Sequence, residues 1–573
     1  MRFPSVSALL ERAGAAALRF PWTLAAAALA AALALTGTVD DPGADRWTRL
    51  TLVVMLMIPF SAAVTLAAER RGWRRMPVAG LQLAGIALIA LFYTTWPGPG
   101  EDWEMLRYLQ LSAAFHLLVA VLPFIRGPET GSFWDYNRQL FLAFLRAGVF
   151  SAVLFVGLAI ALGALDKLFG VHVPPKSYFR LWLVIALVGN TWLFLAALPD
   201  DVTTRDDPAY PRALKIFTQY VLTPLVGVYL VMLTAYLAKI VVTRQWPSGW
   251  IGWLVGSVSV SGILGFLLAH PLRRSADEGW IRIYARWLFV GLIPAAVMLL
   301  LALGKRIGPY GLTELRVIAL VLGVWLLTVA VTYTLRPASG IRLIPLSLAA
   351  ILAVLMAGPM NATRLAVRSQ ARRLERLLAH PAGADARREL AGATRYLVQR
   401  HASDILQRNF GVPLPADTGR LGYGQADSIA ARLLAARNIP YEPEEQPNRY
   451  RSASRPSHDA LETAGYSWLI EMNAGDTGTR RIGTDSIRYL SDSARTTLTV
   501  VSGGGDTLRF DVRPALAMVG DSVRVKPVWD TAATRIPATA GRLRGLLALD
   551  QVSRFGPDSS PPSWSGQLLL APR

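Results

Sequence analysis

Few side chains in this sequence lie where their chemistry is out of place. His116 falls near the centre of the apolar run Leu106–Ile125, and Asn190 with Thr191 falls near the centre of Leu181–Leu198. A neutral imidazole donates one hydrogen bond and accepts another, and a carboxamide has complementary groups. Two readings are open: His116 and Asn190 staple two helices together, or they line a path for protons or a solute. Polar groups at mid-bilayer depth are costly, and interhelical bonds of this kind contribute only about 0.6 to 2 kcal/mol. Pro224, after Thr223, and Pro294 also lie in mid-run. Such prolines either free carbonyls for a ligand or kink a helix that its neighbours repair.

A second group of polar residues marks the ends of apolar runs. Asp135, Asn137 and Arg138 in FWDYNR form a polar cluster or simply start a helix. Arg146 precedes Ala147–Leu165, which is long enough to cross a membrane alone, so its side chain snorkels to the interface. Asp166, with Lys167, closes that run, while Lys239 and Arg244 flank the end of another. Glu314 and Arg316 follow YGLT as a membrane-edge ion pair or cap.

Familiar catalytic patterns do not occur. The six histidines, at 116, 172, 270, 380, 401 and 458, have no metal-ligand spacing. A cysteine count of 0 excludes disulfides, thiol catalysis, iron–sulfur ligation and cysteine-based zinc sites. SGGGD is hairpin chemistry rather than a phosphate cradle, and there is no GxSxG elbow. Catalytic, metal and cofactor-binding residues are therefore assigned to none, with no cofactor, and no reaction can be read from the chain.

The elements that hold these residues are legible from composition. Hydrophobic residues make up 53% and charged residues 17%, well below the quarter usual in soluble domains. Mean hydropathy is +0.36. Crossing a hydrocarbon core of about 30 Å takes roughly 20 apolar residues of helix, and the chain offers such runs repeatedly as far as Met360. We read spans at about 20–36, 49–68, 77–96, 105–125, 139–165, 178–198, 214–243, 250–270, 285–304, 315–335 and 343–359. The first is read as retained, although Ala32-Leu33-Ala34 resembles a cleavage site.

The net charge of +20 suggests nucleic acid at first sight, but no basic-plus-aromatic module appears, and none is expected to bind. The arginines instead gather beside spans, as the positive-inside bias requires. Arg70, Arg71, Arg74, Arg75, Arg126, Arg138, Arg273, Arg274, Arg336 and Arg342 fall on one side, with the N-terminus. Lys305 and Arg306 fall on the other, against the trend. Trp73, Trp96, Trp103, Trp246 and Trp250 lie at run ends, as headgroup-level rings do.

Beyond Met360 the periodicity changes. Val367, Ala371, Leu374 and Leu378 recur at helical spacing with arginines on other faces. That helix lies along anionic headgroups or packs against its own domain. Helical stretches 386–410 and 427–438 follow, then an extended linker or long loop over 440–463. From 464 the pattern is β. Leu498 and Val500, the turn 502–506, then Leu508, Phe510 and Val512 make a hairpin with one buried face. Further strands are expected at 466–472, 487–490, 522–528, 546–549 and 567–570.

Four stretches carry a resemblance: GSFWDYNRQLF with ALDKLFG, LTPLVGVYLVMLTAYLAKIVVTRQWPSGW, KRIGPYGLTELRV, and VRSQARRLERLLA. In that order they resemble the bacterial membrane family known as domain of unknown function 4153. The resemblance implies a multi-pass inner-membrane protein with an extracytoplasmic C-terminal part and brings no activity with it.

The fold class is therefore an all-α polytopic membrane bundle of about eleven transmembrane helices, N-terminus inside, followed by a small extracytoplasmic α+β domain. Its parts are 1–360 in the membrane, 361–439 helical and juxtamembrane, 440–463 linker, and 464–573 β-rich. The expected setting is the bacterial inner membrane. The expected partners are the lipid bilayer and an envelope protein met by the C-terminal domain, in a non-enzymatic role. The alternative is a transporter or lipid/solute-handling protein using the mid-span polar residues.

Overall fold

The computed structural model describes the chain outside residues 1–5, 38–43, 97, 99–101, 126–130, 200–209, 211, 245–250, 275–278, 357–359, 380–382, 413–424, 443–449, 456–460, 483–484, 518–529, 556–561 and 573. Arg126, Trp246, Trp250 and the strand expected at 522–528 lie outside the described residues. The chain divides into two compact units, Met1–Arg373 and Leu374–Arg573.

The first unit is helical: α1 Val6–Arg19, α2 Pro21–Thr36, α3 Arg46–Arg71, α4 Arg75–Thr95, α5 Trp103–Phe124, α6 Ser132–Phe169, α7 Pro175–Ala196, α8 Leu214–Thr243, α9 Ile251–Leu268, α10 Gly279–Tyr310, α11 Glu314–Leu335, α12 Leu343–Met356 and α13 Ala362–Ala379. Nine of the described helices are long and apolar enough to cross a membrane. A tenth arises if α1 and α2, bent by 96° at Phe20-Pro21, form one span. The sequence reading has about eleven because it extends the last run through 357–359. The 14 described residues of α12 reach only about 21 Å.

In lipid, apolar surface does not drive helices together, so close packing of small side chains must. On α2 the buried stripe is Ala26, Ala27, Ala30 and Ala31. There Thr23 Oγ1 donates to Ser61 Oγ of α3 at 3.1 Å, both buried. A second core lies among α9, α10 and α11, where the Phe289 ring stands 4.9 Å from both Phe266 and Tyr333. Trp96 departs from the sequence reading. It is fully buried, stacked on Phe92 and Tyr108, with Nε1 donating to Glu104 O at 2.8 Å. It fills the core between α4 and α5 instead of anchoring at headgroup level.

In the second unit the expected helix over 386–410 is two, α14 Ala384–Gln399 and α15 Ser403–Phe410. They are broken at His401, whose φ of +50° no continuous helix accommodates. Helix α16, Gln425–Ala435, packs Ile429, Leu433 and Leu434 inward. The strands are β1 Tyr450–Ser454, β2 Trp468–Asn473, β3 Thr477–Ile482, β4 Asp485–Ser491, β5 Thr497–Ser502, β6 Thr507–Asp511, β7 Arg535–Ala540, β8 Leu543–Phe555 and β9 Ser563–Pro572. They form an antiparallel meander β3-β4-β5-β6 and a five-stranded sheet β1-β8-β9-β2, with β7 also on β8. The expected hairpin is β5–β6, with Leu498 opposite Phe510 and Val500 opposite Leu508. Strand β1, paired with 551–555, lies inside the stretch read as linker or loop. The sheets share one core, and they approach so closely at Gly545 that a Cβ there would stand 2.9 Å from Phe510.

Candidate functional site

A helix leaves its last four carbonyls without intrahelical partners, and near a bilayer something must satisfy them. In the first unit, side chains from elsewhere in the chain do so, and they sort the helix ends into two groups.

The first group centres on FWDYNR at the start of α6. Tyr136 Oη donates to Val119 O at 2.7 Å, and Asn137 Nδ2 to Ala120 O at 3.2 Å and Phe133 O at 2.9 Å. The same α5 terminus receives Arg71 at Leu122 O, 3.0 Å, and Arg342 at Phe124 O, 2.6 Å. On the other side Trp134 Nε1 donates to Leu267 O of α9 at 2.8 Å. Tyr210 stacks on Trp134 and donates to Leu268 O at 3.0 Å. Burial pushes the Tyr210 hydroxyl up to about 12, against smaller opposing effects of Thr218 and Arg138, so it remains a donor. Arg19 pairs with Glu69 at 2.7 Å and caps Pro199 O at 2.7 Å. Guanidiniums at helix C-termini also meet the negative end of the dipole.

Inside this ring lies a buried ion pair one turn long. Arg138 donates through Nε at 2.9 Å and through its terminal nitrogen at 2.5 Å to Asp135 Oδ1, while Gln139 donates to Oδ2 at 3.0 Å. Both side chains are about nine-tenths buried, with exposures of 8% and 10%. Asp135, Arg138 and Gln139 bond to one another at the start of α6, while Trp134, Tyr136 and Asn137 of the same stretch close the ends of two helices that are distant in sequence. Trp134 and Tyr210 carry no sign of this role in the sequence, because nothing local shows which carbonyls they face.

The second group of ends includes Tyr310 to Thr313. Gly311, at φ +69°, turns the chain between α10 and α11. Arg316 donates to Gly311 O at 2.7 Å, which is the cap expected of it, and Glu314 is buried beside the turn. Ser369 Oγ of α13 accepts from Leu312 N at 3.0 Å. Gln370 Nε2 donates to Tyr310 O and Leu312 O, both at 2.9 Å. Helix α13 thus docks on a helix-end turn through its polar stripe, with Arg373 buried near the Tyr310 ring. Neither reading made for it from sequence includes this contact.

The mid-span residues are placed differently from the staple. His116 is exposed on the outside of α5, with Nδ1 bonded to its own helix at Ser112 O, 2.8 Å. Asn190 accepts instead from Ser151 Oγ of α6 at 3.2 Å, beside buried Thr191. The pair fails because His116 points away from the bundle. Asn190 N–H bonds five residues back to Ile185 O, ending a π-helical turn. Another π turn, Phe217–Leu222, precedes Thr223-Pro224 and keeps α8 continuous. Helix α10 likewise runs through Pro294. Arg146 is exposed, bonded to Leu142 O and, at 3.5 Å, Ala197 O. Asp166 accepts from Val173 N and pairs with Lys167, and Lys239 is exposed near the end of α8.

Apolar helices long enough to cross a bilayer, with their ends closed by arginine, tyrosine and carboxamide side chains, define a polytopic helical membrane protein. The chain belongs to the family described as Domain of unknown function (DUF4153), whose model matches residues 23–391. It is similar to the uncharacterized protein PM1469 of Pasteurella multocida (strain Pm70), at 22% identity over 275 residues. That stretch is 47% of this chain and 45% of the relative, so the chain spans under half of the relative's length. No solved structure matches.

Proposed function

We propose that the chain is a non-enzymatic protein of the bacterial inner membrane. Its helical unit anchors and orients the second unit, which is an extracytoplasmic interaction domain. One observation carries this reading: the polar side chains of the bundle mostly bond to helix ends or to their own helix. The FWDYNR ring closes α5 and α9, and His116 turns outward. Among the described residues these bonds support a scaffold more than a polar path. The arginines on the FWDYNR ends support a cytoplasmic setting for those ends and, with it, the reading of Leu374–Arg573 as extracytoplasmic.

The transport reading keeps one specific observation, the π turns before Asn190 and before Thr223-Pro224, since such turns recur at functional positions. Truncation separates the two. Ending the chain after Arg373 in cells, with a phenotype of full deletion as reference, is expected to reproduce that phenotype. Fusing residues from Leu374 onward to an unrelated single-span anchor is expected to restore function in part. A truncated bundle that works unaided favours transport and overturns the scaffold.

A further inference from the structure

At the second group of helix ends, a cavity of about 510 Å³ opens between the end of α4, the start of α5 and the α12–α13 junction. Its lower wall is apolar: Leu88, Leu91, Phe92, Leu111 and Met356. Its polar lining includes Arg107 and Arg364 as the cations, with Asn361 and Thr363. Leu88 and Leu91 are 43% and 61% exposed, so the wall is open toward the side of the bundle. From Leu88 to Thr95 the groove runs roughly 10 Å along α4.

Two buried polar atoms of the rim have no hydrogen-bond partner among the described residues. Arg107 uses one terminal nitrogen to cap Thr95 O at 3.1 Å, and its Nε is buried with no hydrogen-bond partner among the described residues. Thr363 Oγ1 is buried in the same condition. Asn361 is already committed, donating to Met356 O and accepting from Thr363 N. Arg107 and Arg364 feel each other's charge, and Glu104 acts on Arg107 with the opposite sign. Buried donors without acceptors are costly, and an anionic oxygen relieves that cost best.

We propose that this groove binds one anionic phospholipid, with the phosphate between Arg107 and Arg364 and an acyl chain along Leu88, Leu91 and Met356. The polar rim lies at span ends, at headgroup depth, and the apolar wall begins directly beneath it. A free anion has no use for that wall. A zwitterionic headgroup brings its ammonium against two guanidiniums, so the site selects negative lipids. The site stands independently of the role given to the second unit.

The test uses the full chain purified in detergent, titrated with phosphatidylglycerol or phosphatidylcholine and read by native mass spectrometry. One phosphatidylglycerol is expected to bind per chain, with a preference over phosphatidylcholine of at least about tenfold. Arg364→Gln, on an exposed side chain, is expected to lower affinity by about tenfold, and Arg107→Gln by as much or more. Leu88→Trp fills the groove and is expected to abolish binding with both arginines intact. Arg74→Gln with Arg75→Gln, at the other ends, is expected to change nothing. Glycerol phosphate is expected not to compete. Equal binding of the two lipids overturns the proposal. So does unchanged binding by a folded Arg364→Gln chain, or displacement by glycerol phosphate.

Discussion

Asp135 and Arg138 carry the sharpest energetic expectation at the scale of single residues. Asp135→Asn leaves a guanidinium nine-tenths buried without its counter-charge, which costs about 3–5 kcal/mol. A large fall in the detergent melting temperature is expected. Replacing both residues together, Asp135→Leu with Arg138→Met, is expected to recover most of it, since an apolar pair leaves no buried charge. His116→Leu, by contrast, removes a bond made only to Ser112 O of its own helix, and is expected to shift stability by less than about 0.5 kcal/mol. Asp492 gives a pH dependence. Burial pushes its carboxyl up, but Thr496 Oγ1 and the amides of Thr497 and Thr496 together outweigh it and hold it below its usual range. A carboxyl lowered in the folded state stabilises above its unfolded value and loses that contribution as pH falls through the folded one. The second unit is therefore expected to weaken below about pH 4, and Asp492→Asn to flatten that loss in denaturant titrations. FWDYNR was legible as a membrane-edge cluster from its residue types. Its partners were not, because they come from spans that no local pattern connects.

At the scale of elements, the docking of α13 on the turn before α11 depends on Gly311. An alanine there is strained at φ +69°, and its Cβ meets Gln370 Nε2 at 2.9 Å. Gly311→Ala is expected to cost about 1–2 kcal/mol. It is also expected to make α13 more sensitive to protease, and Gln370→Ala to do so more mildly. Long apolar helices were legible because a bilayer demands them, and the hairpin β5–β6 because its alternation is strict. The breaks were not: His401 leaves the helical region within a periodic stretch, and β1 is a strand only because β8 offers it an edge. Trp96 shows the same limit, since sequence places it at a run end but packing against Tyr108 decides its burial.

At the scale of the whole molecule, the bonds between helix ends test the transmembrane order independently of charge. Arg71, Tyr136, Arg342 and Trp134 meet the ends of α5 and α9, as alternating spans require. Gln370 joins the end of α10 to the helix that follows α12. Alkaline phosphatase fused after Arg400 or after Thr313 is expected to be active, and after Arg75 or Arg336 inactive. Different outcomes at Thr313 and Arg400 would break the order, while inversion of all four would reverse the orientation. The two-part layout was legible from the change in periodicity near Met360. The division at Arg373 was not, because it depends on where α13 docks.

The cap from Arg342 to Phe124 O joins residues 218 positions apart. At about 5–20 residues per second, a ribosome needs roughly 10–40 s to deliver that arginine after the end of α5 has emerged. Through that interval the Phe124 carbonyl lacks its Arg342 cap, while Tyr136, Asn137 and Arg71 already meet the neighbouring carbonyls of α5. Assembly of the membrane unit therefore has a late step written into it, and chains released before Arg342 should be the ones that quality-control proteases remove.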